Sequence, residues 1–291
     1  MYESTEVLNK ICHVLAERIV RAHRNKETFR VYIVMPLMPN FEGQLDGDNN
    51  STLLTVLKWE YASLCRGEHC ILQILKDNGV TNVDDYLTVC ALRQYGGLNG
   101  KLVTEMIYIH SKVMIVDDTH CIIGSANIND RSQLGSRDSE IAVVINDTKI
   151  RELELNGKKY NKGNFCFSLR KHLFKEHLGL LDMAWLDPSK KVTDPVGENF
   201  WKTWKSIAKE NTEIFDEVFK CLPTNKVKTY DELSTYRSDP GLAETDPAAA
   251  KKRLKQVKGH LVQFPLEFLL NSDVRPSVVS KENIAPNAIF T

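Results

Sequence analysis

Apolar residues at Leu8, Ile11, Cys12, Leu15 and Ile19 recur at intervals of three and four, which predicts an amphipathic helix. Ser4 stands where its N-cap would be. Residues 29–37 (FRVYIVMPL) form an apolar run of strand length, stopped by Pro36 and Pro39. A Gly/Asp/Asn-rich loop over 40–50 follows, then helices over 51–66 and about 69–77. Strands are expected over 86–92 and 102–108. A hairpin joins 112–116 to 121–123 around Asp117-Asp118-Thr119-His120, and 140–145 (EIAVVI) is a further apolar strand. Later come helices over 165–180, 198–221 and 246–258, the last with Pro247 in its first turn. Residues 259–270 are apolar, and the last twenty residues have the character of an extended tail.

Helix and strand alternate up to about residue 150, which argues for an α/β domain layered α-β-α, its sheet covered on both faces. The expected organisation is therefore 1–150 as a catalytic unit and 151–291 as a mostly helical extension that completes it. At 42% apolar residues the chain has ample material for a core. The 38 basic and 38 acidic residues balance, so global charge gives no case for nucleic acid as a partner. The seven cysteines are odd in number and form no C-x2-C, which reads as reduced thiols of a cytoplasmic compartment. No run approaches the roughly 20 apolar residues that span a bilayer, and the first residues lack the pattern of a signal peptide, so membrane contact is expected to be peripheral.

The chemistry concentrates in one stretch. Residues 108–117 read Y-I-H-S-K-V-M-I-V-D, and Gly124-Ser125-Ala126-Asn127 follow, giving H-x-K-x4-D-x6-G-S-x-N. Side chains two apart on a strand face the same side, so His110 and Lys112 would share one pocket if the strand includes residue 110. A lysine there is a fixed cation for phosphate oxygens. Histidine, as a residue type, can attack phosphorus or shuttle a proton. Ser125 and Asn127, at a strand-to-helix turn, offer further donors to the same oxygens. Asp117 falls in the turn beyond the strand, which suits a supporting role beside the site. Glu140 is the candidate to hold the other ring nitrogen of His110; a surface ion pair with Arg131 or Arg137 is the competing reading.

With its continuation Ile128-Asn129-Asp130-Arg131-Ser132, this motif resembles the second HKD motif of eukaryotic phospholipase D, spanning about residues 104–131 here. Pro36-Leu37-x-Pro39-Asn40-Phe41-Glu42-Gly43 resembles the loop between that family's two catalytic halves. Arg137-Asp138-Ser139-Glu140, Val262-Gln263-Phe264-Pro265 and the terminal Thr291 resemble its C-terminal region. The resemblance implies hydrolysis of phosphatidylcholine to phosphatidic acid and choline through a phosphohistidine, with transphosphatidylation to primary alcohols. It implies no metal or other cofactor, and a phosphoinositide as activator. Glycerophospholipids are the implied substrates and the cytosolic face of a membrane the implied address. The first motif supplies the nucleophile in that family, which leaves His110 as general acid/base.

The family's chemistry uses two such motifs, and here there is one. None of the other seven histidines has a lysine two residues on. The chain is expected to be the C-terminal half of the enzyme, working with a first-motif half. The alternatives are a pair of identical chains pooling their motifs as a phosphodiesterase or nuclease, and a non-catalytic truncated product that binds lipid or a partner. A surface shaped to pack on another half would leave exposed apolar residues.

Overall fold

The computed structural model describes residues 7–41, 45, 51–155, 158–181 and 192–274. Helix α1 (Ile11–Arg24) leads into β1 (Val31–Val34), then α2 (Ser51–Leu64), α3 (Ile71–Asp77), β2 (Leu87–Leu98) and β3 (Lys101–Ile107). The motif region holds β4 (Lys112–Val116), β5 (His120–Gly124), α4 (Asp130–Gln133) and β6 (Ala142–Asn146). Next come β7 (Ile150–Leu155), β8 (Lys158–Gly163), α5 (Phe165–His177) and α6 (Glu198–Phe219). The described part closes with α7 (Tyr230–Ser238), α8 (Leu242–Thr245), α9 (Pro247–Leu254) and β9 (Leu261–Gln263). The fold is mixed α/β. Ser4 and the tail beyond 274 lie outside the described residues.

Strand period sets the layers. In β1, Val31 and Ile33 pack with Ala16, Ile19, Ile71 and Leu75 of α1 and α3. Tyr32 and Val34 point the other way, into Phe174 of α5 and Phe200 and Trp204 of α6. The Tyr32 ring lies 5.0 Å from each of Phe174, Trp201 and Trp204, aromatic pairs worth about 0.5–1.5 kcal/mol apiece beyond burial. The first sheet is thus sandwiched between helices, as the alternation predicted. β1 runs parallel to β2, while β3 and β9 pair antiparallel with it. β9 therefore brings residues 261–263 onto a strand of the N-terminal region, and the buried Asn211 fixes that approach by bonding Lys258 and Leu261.

Several bounds differ from the sequence reading. β2 continues to Leu98 because Asn99 and Gly100, both at positive φ, form a two-residue turn into β3. The β7–β8 hairpin was not anticipated, although Asn156-Gly157 stands between its strands in the sequence. Nor was α7, despite its capping box of Thr229 and Glu232.

The second sheet is β4-β5-β6. Its rows run Lys112–Gly124–Ala142, Met114–Ile122–Val144 and Ile115–Cys121–Ile145. Cys121 is buried, a small strand residue in a packed row. Met114, Ile122 and Val144 are 43%, 44% and 62% exposed, so an apolar row crosses the sheet uncovered. Among the described residues no helix is long and apolar enough to cross a membrane.

Candidate active site

The site forms where β4 and β5 reach β6. Lys112 opens β4 opposite Gly124, which itself pairs with Ala142. A Cβ on Gly124 would stand 2.5 Å from the Ile141 carbonyl and 2.7 Å from Ala142, so only glycine allows this closeness. The next residue profits: Ser125 exchanges backbone and side-chain bonds with Ile141, its N–H to the carbonyl and its Oγ accepting from the Ile141 N–H at 3.0 Å.

His110 does not lie on the strand. It belongs to the link 108–111 between β3 and β4, so the strand-period argument for its alignment with Lys112 does not apply. What joins the two is a backbone contact, Lys112 Nζ donating to the His110 carbonyl at 2.5 Å. The imidazole is exposed, 6.3 Å between centroids from Tyr108, and among the described residues it has no hydrogen-bond partner. Lys112, half-buried, shares a strand face with Met114 and Val116, where the Met114–Ile122–Val144 row is uncovered; on the opposite face Val113 and Val143 are exposed too.

Glu140 departs from its expected role as the prop of His110. One oxygen accepts from Ser125 Oγ at 2.5 Å and the other from Ser132 Oγ at 2.6 Å. Those two bonds, Ser125 first, hold its carboxyl below the usual carboxylate range, with the Lys112 charge adding to them. Of the two arginines in the competing reading, Arg131 grips Asp138 at 3.1 Å. Ser125 is therefore already bonded on both sides of its hydroxyl. The Asn127 carbonyl accepts from Gln133 Nε2 at 2.7 Å, and its side chain is exposed.

Asp117 is exposed in the turn after β4, at φ 50°. Its neighbour Asp118 carries the structural work: it is 3% exposed and takes two bonds from Arg170, at 2.9 and 2.6 Å. The same guanidinium donates to the Val192 and Thr193 carbonyls, so the turn that ends β4 is bolted to α5. Asp118, Asp130 and Ser132 belong to the turn and the motif in the sequence, but their spacing assigns them no role. A pair of adjacent aspartates does not declare which one is buried.

A family model described as phospholipase D matches residues 99–218, which contain this arrangement. Human phospholipase D1 is 44% identical over 286 residues, 98% of this chain and 26% of that protein. Bovine phospholipase D2 is 44% identical over 285 residues, 98% of this chain and 30% of that protein. The chain belongs to the phospholipase D family. The likeness extends to plants: phospholipase D zeta 1 of Arabidopsis thaliana is 38% identical over 308 residues, 98% of this chain and 28% of that protein. The chain spans under a third of the length of these phospholipases D, and within that span it carries one histidine–lysine pair.

Proposed function

We propose that this chain is the second-motif, C-terminal half of a phospholipase D that converts phosphatidylcholine to phosphatidic acid and choline at the cytosolic face of a membrane. The observation that carries the reading is the position of Lys112. It stands on a sheet face whose next row, Met114–Ile122–Val144, is apolar and uncovered. A partner that covered this row would bring its own side chains beside Lys112 and His110, and the burial of exposed apolar surface would favour the contact. A first-motif half is that partner in this reading.

Each residue then has a task. The partner's histidine attacks phosphorus while the bond from phosphorus to the choline oxygen breaks. His110 gives its proton to that oxygen. Lys112 holds the non-bridging oxygens as charge develops. In the second step His110 takes a proton from water, the new oxygen bonds phosphorus, and the phosphorus–nitrogen bond to the partner's histidine breaks. Asn127 offers its exposed amide to the phosphate. Ser125 and Glu140 keep the loop in place beside Lys112, and Asp117 lies in the turn after β4 that Asp118 and Arg170 hold. The chemistry asks no metal of these residues.

The test is co-expression with a first-motif half and measurement of phosphatidylbutanol from phosphatidylcholine vesicles and butanol. Product should require both halves and disappear with His110→Asn or Lys112→Met. Robust product from the purified chain alone, as a dimer, would replace the two-half reading with a homodimer. No product from any combination would remove phospholipase D activity.

A further inference from the structure

The four-residue helix α4 follows the Gly124-Ser125-Ala126-Asn127 turn, and each of its first residues holds something different. Asn129 caps it through Ser132 N–H at 3.1 Å. Asp130 is buried and accepts three bonds from a segment more than a hundred residues away: Leu8 N–H at 2.7 Å, Asn9 N–H at 2.8 Å and Asn9 Nδ2 at 2.7 Å. Asn9 in turn accepts from Ile11 N–H, so the same residue helps to start α1. Arg131 clasps Asp138 and closes the loop that leads back to β6. Ser132 reaches Glu140, whose other oxygen holds Ser125.

These contacts form a continuous line from Leu8–Asn9 through Asp130 and Ser132 to Glu140, Ser125 and the strand end opposite Lys112. We infer that Asp130 and Ser132 are positioning residues: Asp130 fastens α4 to the Leu8–Asn9 segment, and Ser132 uses that fixed point to set the Glu140 carboxylate and, through it, the Ser125 loop. The arrangement suits such a role on physical grounds. A helix of one turn has little stability of its own and takes its place from tertiary contacts. A buried carboxylate with three N–H donors is a strong anchor. Ser125 and Asn127 sit on the short connection that α4 terminates, so motion of α4 reaches them directly.

Amide hydrogen exchange on the whole chain tests the coupling without requiring activity. With Asp130→Asn, the Leu8 and Asn9 amides should exchange about tenfold faster or more, and so should the distant Ile141 amide, which bonds Ser125 Oγ. The Arg93 amide, bonded to the His260 carbonyl in the main sheet, should not change. Ser132→Ala should speed Ile141 while leaving Leu8 and Asn9 alone, and Ser132→Thr, which keeps the hydroxyl, should restore it. Loosened Leu8 and Asn9 amides with an unchanged Ile141 would overturn the inference. If Asp130→Asn also exposes Arg93, Ser132→Ala and Asn9→Ala decide it, since the first removes only the Glu140 bond and the second only the Asn9 side-chain bonds to Asp130 and Ile11; an unmoved Ile141 in both overturns it.

The bearing on catalysis rests on the proposed reaction and is read separately. In the two-half enzyme, Ser132→Ala should lower kcat about tenfold with KM little changed, and Ser132→Thr should recover it. Exchange that responds as expected in an enzyme that makes no phosphatidic acid would refute the reaction and leave the coupling standing. Exchange that responds with an unchanged kcat would refute the positioning role.

Discussion

Replacing Arg170 by methionine should destabilise this chain strongly. The guanidinium is 6% exposed and faces an Asp118 carboxylate that is 3% exposed. Its two-point grip is supplemented by bonds to the Val192 and Thr193 carbonyls. Methionine fills comparable space but leaves Asp118 charged and enclosed, beside a Tyr160 hydroxyl that burial and then the Asp118 charge push above the usual phenol range. Breaking one side of a buried pair costs about 3–5 kcal/mol. At about 2 °C per kcal/mol for a chain of this size, the melting temperature should fall by about 6–10 °C. Thermal and urea unfolding followed by circular dichroism would measure it. The double variant Asp118→Leu/Arg170→Met removes both charges and should recover most of the loss, because two matched apolar side chains incur no desolvation penalty. A single variant that loses less than about 1 kcal/mol, or a double variant no better than the single, would refute the reasoning.

Glu60 on α2 gives a pH prediction: its Oε2 is enclosed without a hydrogen-bond partner, and burial pushes its carboxyl up to about 8. The folded value lies above the ordinary one of 4.5, so stability is fully present below pH 4.5 and declines as pH rises toward 8, by at most about 5 kcal/mol. Glu60→Gln should flatten urea-unfolding stability between pH 5 and 8.5, and an equal decline in both proteins would dismiss the idea. On α9 and just beyond it, Lys251, Lys252 and Lys255 are exposed and have no ion-pair partner among the described residues, whereas Arg253 and Lys258 pair with Glu217 and Glu210. Converting the three lysines to glutamate should weaken sedimentation with phosphatidylserine vesicles at least about tenfold, from about 1 kcal/mol per charge near such a surface. Unchanged sedimentation would remove α9 as a membrane contact.

The elements of the first sheet were legible because their signals are local. Residues 29–37 and 86–92 are apolar runs of strand length, and Asp246-Pro247 marks the start of a helix in two residues, the Asp246 side chain capping it. The motif was legible as chemistry, since His110, Lys112 and the glycine–serine turn are defined by spacing. The partners of these residues were not. Glu140 was assigned to the imidazole by general triad logic, yet two serine hydroxyls occupy it, and Ser132 carries no mark in the sequence that distinguishes it from a solvent-facing serine. Asp130 is hidden for a stronger reason: its donors are backbone N–H groups of residues 8 and 9, and backbone donors have no sequence signature. The uncovered face of β4-β5-β6 reads in sequence as core, because apolar strands look alike whether their cover belongs to the same polypeptide or to another.

The pairing of β9 with β2 has a consequence for how the chain is made. Leu92 meets Leu261 in that ladder, so the edge of β2 waits for a partner encoded about 170 residues downstream. At bacterial to eukaryotic elongation rates of about 5–20 residues per second, the wait is roughly 10–30 s. During that interval β1, β2 and β3 can associate through near neighbours, but the half-formed sheet presents an open strand on the ribosome. Completion of the first sheet therefore waits for synthesis past residue 263, and a nascent chain halted before residue 261 would offer chaperones, or other nascent chains, an unpaired edge.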